Sequence, residues 1–265
     1  MSGQLPAPPG PPLYRKASSS APKGYFAWEA TGLRWLAEAQ ADGGVPVVAV
    51  LDVADDHLDL ARLTPAQPTR AAAERFGEQL ARTHAAGAAA YGAPPDGWSG
   101  DGFFGPLSQP LPLSLVPQPT WPEHLRDNLV APVLRACRDR HALDSPDCAT
   151  VERAASRAVE LDPGEPPARI HGDLWAGNVL WTAAGATLID PAAHGGHREA
   201  DLAMLALFGA PHLEASIAAY QAHSPLAAGW HQRVGLHQIY PLAVHALLFG
   251  GSYAAQTVAV ARSYR

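Results

Sequence analysis

His171-Gly172-Asp173-Leu174-Trp175-Ala176-Gly177-Asn178-Val179-Leu180, followed by Leu188-Ile189-Asp190-Pro191, is the stretch on which the reading of this chain turns. A carboxylate five residues before an amide puts a proton acceptor and a neutral oxygen donor on one loop. A second carboxylate, Asp190, closes an apolar segment twelve residues after Asn178. Hard oxygen donors of this kind suit a small divalent cation, which takes one or two carboxylates together with phosphate oxygens and water. The plainer alternative makes Asp173 and Asn178 loop caps and Asp190 a turn residue. Against it, polar side chains embedded between apolar strands cost free energy unless something pairs with them.

The five-residue interval is the one by which a protein-kinase catalytic loop spaces its base and its metal-binding amide, and Asp190 falls where the second metal ligand belongs. Phosphoryl transfer then needs a cation for the phosphates. Lys16 ends the apolar-polar segment Leu-Tyr-Arg-Lys, and Glu29 lies thirteen residues on, in a helical pattern; a strand lysine paired with a helix glutamate meets the need. The alternative is a surface lysine and a solvated helix glutamate. Lys23, the only other lysine, sits in the loop Ser-Ser-Ser-Ala-Pro-Lys-Gly and is expected in solvent.

Working outward, residues 1–12 are rich in Pro and Gly and read as irregular. Leu13–Ala17 reads as a strand, Tyr25–Ala41 as a helix, and Val45–Val53 and His57–Leu63 as two strands, so that 13–65 forms a small mixed lobe. Residues 66–265 form a larger helical lobe. It has helices at Thr69–Ala90, Trp121–His141, Thr150–Leu161, Arg198–Phe208, His212–His223 and Leu226–Tyr264, and a Gly/Pro-rich loop over 92–120. The catalytic loop at 171–180 and the metal-binding strand end at 186–191 lie inside it. The fold class expected is α+β, two-lobed and protein-kinase-like.

Composition sets bounds. The 265 residues are 47% hydrophobic and 17% charged, enough for a sizeable core. A net charge of −6 argues against nucleic acid or an anionic membrane as partner. No apolar run reaches the roughly 20 residues that span a bilayer, and the N-terminus lacks the charged and apolar regions of a secretory signal. Cys137 and Cys148 show no metal spacing and read as reduced thiols of a cytoplasmic protein. His194-Gly-Gly-His197 with Glu199 has the composition of a metal cluster but glycines where a metal-binding helix would stand, so it reads as turn and packing residues. Asp201 is expected to fix the catalytic loop by hydrogen bonds. Trp121, Trp181 and Trp230 read as core, whereas Trp175, inside the loop, is placed to wall a substrate pocket.

HGDLWAGNVLW, IDPAAHGGHREADLAMLALFG and LHQIYPLAVHALLFGGSY together resemble the fructosamine (ketosamine) kinase family, and the similarity extends over residues 13–264 through FAWEATGLRWLAEA and WSGDGFFGPLSQPLP. The resemblance implies an ATP- and Mg2+-dependent kinase acting on the 3-hydroxyl of a ketosamine, free or on a glycated lysine, so that the adduct breaks down and the amine is repaired. It implies Asp173 as base, Asn178 and Asp190 as magnesium ligands, Lys16 on the phosphates and Glu29 orienting Lys16, in a cytoplasmic monomer. Three positions depart from the family's pattern: Gly102 stands where Asn is usual, Ala61 stands where the hinge carries a carboxylate, and the redox cysteine of the glycine-rich loop is absent. Only fifteen proline-rich residues precede Lys16, so the glycine-rich hairpin over the phosphates is expected to be missing. That leaves two further expectations open: a kinase of the same fold acting on an aminoglycoside or amino alcohol, and a catalytically impaired remnant.

Overall fold

A computed structural model describes residues 12–264. The expectations about residues 1–11, including the missing hairpin, lie outside the described residues.

Strand β1 (Leu13–Ala17) is followed by helix α1 (Tyr25–Glu38), which a 3-10 turn at Ala39–Asp42 extends, and then by β2 (Val50–Val53) and β3 (His57–Ala61). The three strands form one antiparallel sheet in the order β1-β3-β2, with Lys16 opposite Leu58. Alternation decides which face packs: Leu58 and Leu60 are buried, while Tyr14 and Leu51 stay exposed. Helix α1 lays Phe26, Leu33 and Leu36, none more than 1% exposed, against this core. Each fully buried side chain of this size contributes about 1.5–3 kcal/mol. The strand expected over Val45–Val53 forms only from Val50. Residues 46–48 instead pair with the far part of the chain: Val48 N–H donates to Leu188 at 3.0 Å and Leu188 N–H to Pro46 at 2.8 Å. That seam ties the small sheet to the segment around residues 171–190.

Helix α2 (Arg70–Ala85) begins where its cap dictates, with Thr69 Oγ1 accepting from Ala72 N–H, a bond worth about 1 kcal/mol. It ends five residues earlier than the pattern suggests. The Gly/Pro-rich stretch that follows is not wholly irregular: β4 (Gly102–Phe104) and β5 (Leu111–Leu113) form a hairpin in it. Then come α3 (Trp121–Glu123), a π-helical stretch at His124–Val130 and α4 (Ala131–Asp139), so the single helix expected there is interrupted. Helix α5 (Ser145–Ser156) starts before the expected Thr150, with Asp144 as N-cap and Pro146 in its first turn. Proline there costs nothing, because that N–H has no helical partner. A short α6 (Ala158–Leu161) leads to β6 (Ala168–Ile170).

The segment around residues 171–190 is framed by two small antiparallel pairs, β7 (Val179–Thr182) with β8 (Gly185–Leu188), and β6 with β9 (His194–Gly196). His194–Gly196 is therefore strand rather than the turn read from its glycines. Helices α7 (Arg198–Leu207) and α8 (Leu213–His223) follow. The long helical run expected at 226–264 starts at Trp230 and splits into α9 (Trp230–Phe249) and α10 (Ser252–Arg262). Gly250 and Gly251, with φ of 63° and 61°, break it in a conformation that side chains resist. Trp121 and Trp181 are core as expected, but Trp230 is only half-buried and stacks on His231. Among the described residues no helix is long and apolar enough to cross a membrane.

Candidate active site

The loop of residues 171–178 is positioned from below. Gly172 adopts φ +80°, and a Cβ there would lie 2.2 Å from the Ala192 carbonyl, so the chain passes this point only as glycine. The Asp201 carboxylate, 1% exposed at the start of α7, accepts from His171 N–H at 2.8 Å and from Gly172 N–H at 3.0 Å. His171 clips loop to strand: its Nε2–H donates to Ile189 O at 2.9 Å, and its Nδ1 accepts from Asp173 N–H at 3.2 Å. Together these bonds set the distance between Asp173 and Asp190 through the backbone.

Above this frame the polar side chains meet. Asn178 Nδ2 donates to Asp173 O at 2.8 Å, Asp173 Oδ2 at 3.1 Å and Asp190 O at 3.3 Å. The amide's nitrogen is thus committed to the loop, which leaves its oxygen toward the cleft. Asp190 sits in the left-handed region at φ 53°, one of three non-glycine residues to do so among the described residues. Asp tolerates that conformation better than most side chains, and held strain of this kind collects at functional positions. Lys16 Nζ donates to both Glu29 oxygens at 2.9 and 2.7 Å and to Asp190 Oδ1 at 3.1 Å. Lys16, Glu29, Asp173, Trp175, Asn178 and Asp190 all line one cleft of about 570 Å³. Lys23 is not among its residues.

Electrostatics divide the carboxylates. Burial pushes Asp173 up to about 7, against the Asn178 hydrogen bond that lowers it and with the Asp190 charge that raises it further. Glu29 is raised to about 6, burial outweighing the Lys16 charge. Burial works against the Lys16 ammonium, but the Glu29 and Asp190 carboxylates overcome it and raise its pKa. Asp190 keeps its carboxylate 43% exposed. A carboxyl near neutrality beside an exposed carboxylate and an amide oxygen can take a proton from a hydroxyl while its neighbours hold a hard cation.

Sequence reasoning passed over the rest of the cleft. Tyr25 and Trp28 come from α1, Phe103 to Leu107 from β4 and the turn after it, and Phe208, His245, Phe249 and Tyr253 from the C-terminal helices. Aromatic residues read by default as core, and only the packing shows which ones face a cavity. Trp175 is 42% exposed and meets Phe208 edge-on at 6.3 Å. Gly102 also gains a reason: a Cβ there would sit 2.6 Å from the Trp28 ring. Asp59, two residues before Ala61 on β3, is engaged by Arg15 through two hydrogen bonds of 2.7 and 2.6 Å.

A second titratable cluster, His197, Glu199 and His237, is buried. It does not fit a metal. Arg233 takes both Glu199 oxygens at 2.8 and 2.6 Å. His197 Nδ1 accepts from Glu199 N–H, so its Nε2 carries the proton a metal would have to replace.

Comparison with known proteins gives a consistent picture. The family model described as fructosamine kinase matches residues 11–264. The crystal structure of a fructosamine-3-kinase candidate from Thermobifida fusca is 48% identical, covers 96% of this chain and 86% of its own, and superposes with a TM-score of 0.87. A probable ketoamine kinase of Synechocystis is 34% identical over 183 residues, 69% of this chain, and the chain spans 58% of that relative's length. A microcompartment-associated aminopropanol kinase, at 18% identity and a TM-score of 0.55 over 95% of this chain, has the same two-lobed, kinase-like fold.

Proposed function

The chain belongs to the fructosamine kinase family, and from that premise we propose that it transfers the γ-phosphoryl group of ATP to the 3-hydroxyl of a ketosamine. The observation that carries this reading is the meeting of Asp173, Asn178, Asp190 and the Lys16–Glu29 pair around one cleft. Residues 13–65 would form the nucleotide-covering lobe and 66–264 the acceptor-binding lobe.

Asp173 orients the acceptor hydroxyl and takes its proton as the oxygen bonds to phosphorus; ADP leaves with the electrons of the broken P–O bond. Asn178 fixes the Asp173 carboxylate from the side, so the base keeps one oxygen free for the substrate. Lys16, held by Glu29, faces the phosphates. The exposed Asp190 carboxylate and the Asn178 amide oxygen fit a small divalent ion, for which Mg2+ is the natural choice; when bound, it neutralises phosphate charge. Trp175 offers an exposed aromatic face to the acceptor.

The cleft's carboxylates are Glu29, Asp173 and Asp190 alone among its lining residues, and its outer wall is aromatic. An aminoglycoside, with several ammonium groups, would want more acid than that, which favours a ketosamine with a single amine. Free ribuloselysine, fructoselysine and a glycated peptide, each incubated with ATP and Mg2+, test the proposal. ADP release and a phosphate on the sugar 3-oxygen by NMR are expected. No phosphorylated product from any ketosamine at millimolar concentration would overturn it.

A further inference from the structure

The catalytic loop is not fastened only by Asp201. Behind that carboxylate lie contacts from two other helices. His84, near the end of α2, points Nε2 at Asp201 Oδ2 at 3.1 Å, and its Nδ1 meets the Tyr220 hydroxyl of α8 at 2.9 Å. All three side chains are sealed, at 3%, 1% and 0% exposure for His84, Asp201 and Tyr220.

The direction of each hydrogen bond follows from what the groups can do. Asp201 is a carboxylate already accepting two backbone N–H bonds, so it can only accept from His84. His84 Nε2 must therefore carry a proton. The other ring nitrogen, Nδ1, pairs with the Tyr220 hydroxyl. The result is a continuous chain, Tyr220 to His84 to Asp201, that ends on the two amides preceding Asp173. Aligned bonds of this kind in a buried setting reinforce one another.

The helices carrying the chain are locked together. A Cβ on Gly77 of α2 would lie 2.0 Å from the Ser216 carbonyl of α8, and Ser216 Oγ donates to Ala73 O at 3.0 Å. The Arg198 guanidinium, itself paired with Glu165, lies over the Tyr220 ring at 5.9 Å. The chain therefore starts from a rigid platform rather than from a mobile side chain.

We propose that His84, oriented by Tyr220, is a positioning residue: it fixes the Asp201 carboxylate and through it the place of Asp173 in the cleft. Without His84, Asp201 Oδ2 loses one of its two partners and the carboxylate gains freedom to turn about its Cβ. The His171 and Gly172 amides then loosen, and the base drifts from its line with the acceptor hydroxyl. Nothing in the chain touches substrate, so the effect is on the chemical step rather than on nucleotide binding.

The catalytic side of this inference rests on the kinase reading above, and the test separates the two. Amide hydrogen exchange of residues 168–178 is measured in the wild type, His84→Leu, His84→Gln and Tyr220→Phe, alongside kcat and KM. His84→Leu is expected to raise exchange at His171 and Gly172 at least about 10-fold while α10 stays protected. It is expected to lower kcat about 10–100-fold with KM for ATP within about 3-fold, as for a misplaced reacting group. His84→Gln, which can return an N–H toward Asp201, is expected to recover much of both. Tyr220→Phe, which removes only an oxygen, falls between wild type and His84→Leu. Unchanged loop exchange in both His84→Leu and Tyr220→Phe would overturn the inference. So would Gln performing no better than Leu. Should His84→Leu not fold, Tyr220→Phe and His84→Gln decide. A wild type that phosphorylates no ketosamine defeats the functional reading, while the exchange measurements still judge the positioning chain.

Discussion

Two carboxylates in this molecule, one half-buried and one buried, face opposite ways electrostatically. Asp173 in the cleft is pushed up to about 7, because burial acts on it with a single amide to oppose it. Glu199, below Trp121, is also driven upward by burial, yet the His237 ring and the Arg233 fork pull it down to about 2. Both sit among neighbours of the kind that make a site: a cation, an amide or imidazole, an aromatic wall. The difference is in their oxygens. Both Glu199 oxygens are held by Arg233, whereas Asp173 keeps one free toward the cavity. A carboxylate is therefore structural when both its oxygens are held and chemical when one is left open.

The widest gap between the two should appear on substitution. Asp173→Ala is expected to lower kcat by about 10²–10⁴-fold, the usual loss for a general base, with the thermal midpoint no lower than wild type. Steady-state kinetics beside calorimetry measure both. Glu199→Ala should do the reverse, leaving the Arg233 charge buried without a partner and destabilising the fold by about 3–5 kcal/mol; turnover per folded molecule should change little. A variant at position 199 that keeps its stability would erase the contrast.

Titration sharpens it. Asp173 must be ionised to take a proton, so kcat/KM is expected to rise with pH through about 7 and level off above it. The same raised pKa makes the ionised carboxyl a burden on the fold. A group whose folded pKa lies above its unfolded value of 3.8 lowers stability once pH passes that value, and fully so above the folded one. Asp173→Asn should accordingly stabilise the protein at pH 8 by about 1–2 kcal/mol, discounted for the residue's partial exposure, and confer little at pH 4. Chemical denaturation at both values measures it. The buried histidines titrate on the other side. Burial holds His124, His197 and His237 below the ordinary imidazole value. Their contribution to stability is present above about 6.5 and is lost as pH falls toward the folded pKa values. The smallest effect expected is that of chelation: EDTA should leave the thermal midpoint of the nucleotide-free protein unchanged, because the His197–Glu199–His237 cluster takes no ion.

Local chemistry made the catalytic segment legible. Five-residue spacing, an apolar strand ending in Asp and a lysine–glutamate pair are all short-range patterns, and the structure sets these residues on one cleft. Cap residues were readable where the side chain speaks for itself, as at Thr69. The start of α5 was missed: it was expected at Thr150, whereas Asp144 caps the helix and Pro146 lies in its first turn. The β4–β5 hairpin escaped because each strand has only three residues, in a stretch dominated by glycine and proline. The interruption at His124–Val130 escaped because an extra residue in a helical turn leaves no compositional trace. Contacts such as His84 to Asp201, separated by 117 positions, exist only once α2 and α7 have packed.

The ammonium of Lys16 has three protons, and all three are already engaged, two by Glu29 and one by Asp190. Anything anionic that approaches the lysine competes with Asp190, and anything cationic that approaches Asp190 competes with the lysine. On the proposed kinase reading, triphosphate and metal arriving as a pair relieve both rivalries at once, the metal cancelling part of the phosphate charge, so the pair is expected to bind better than either alone.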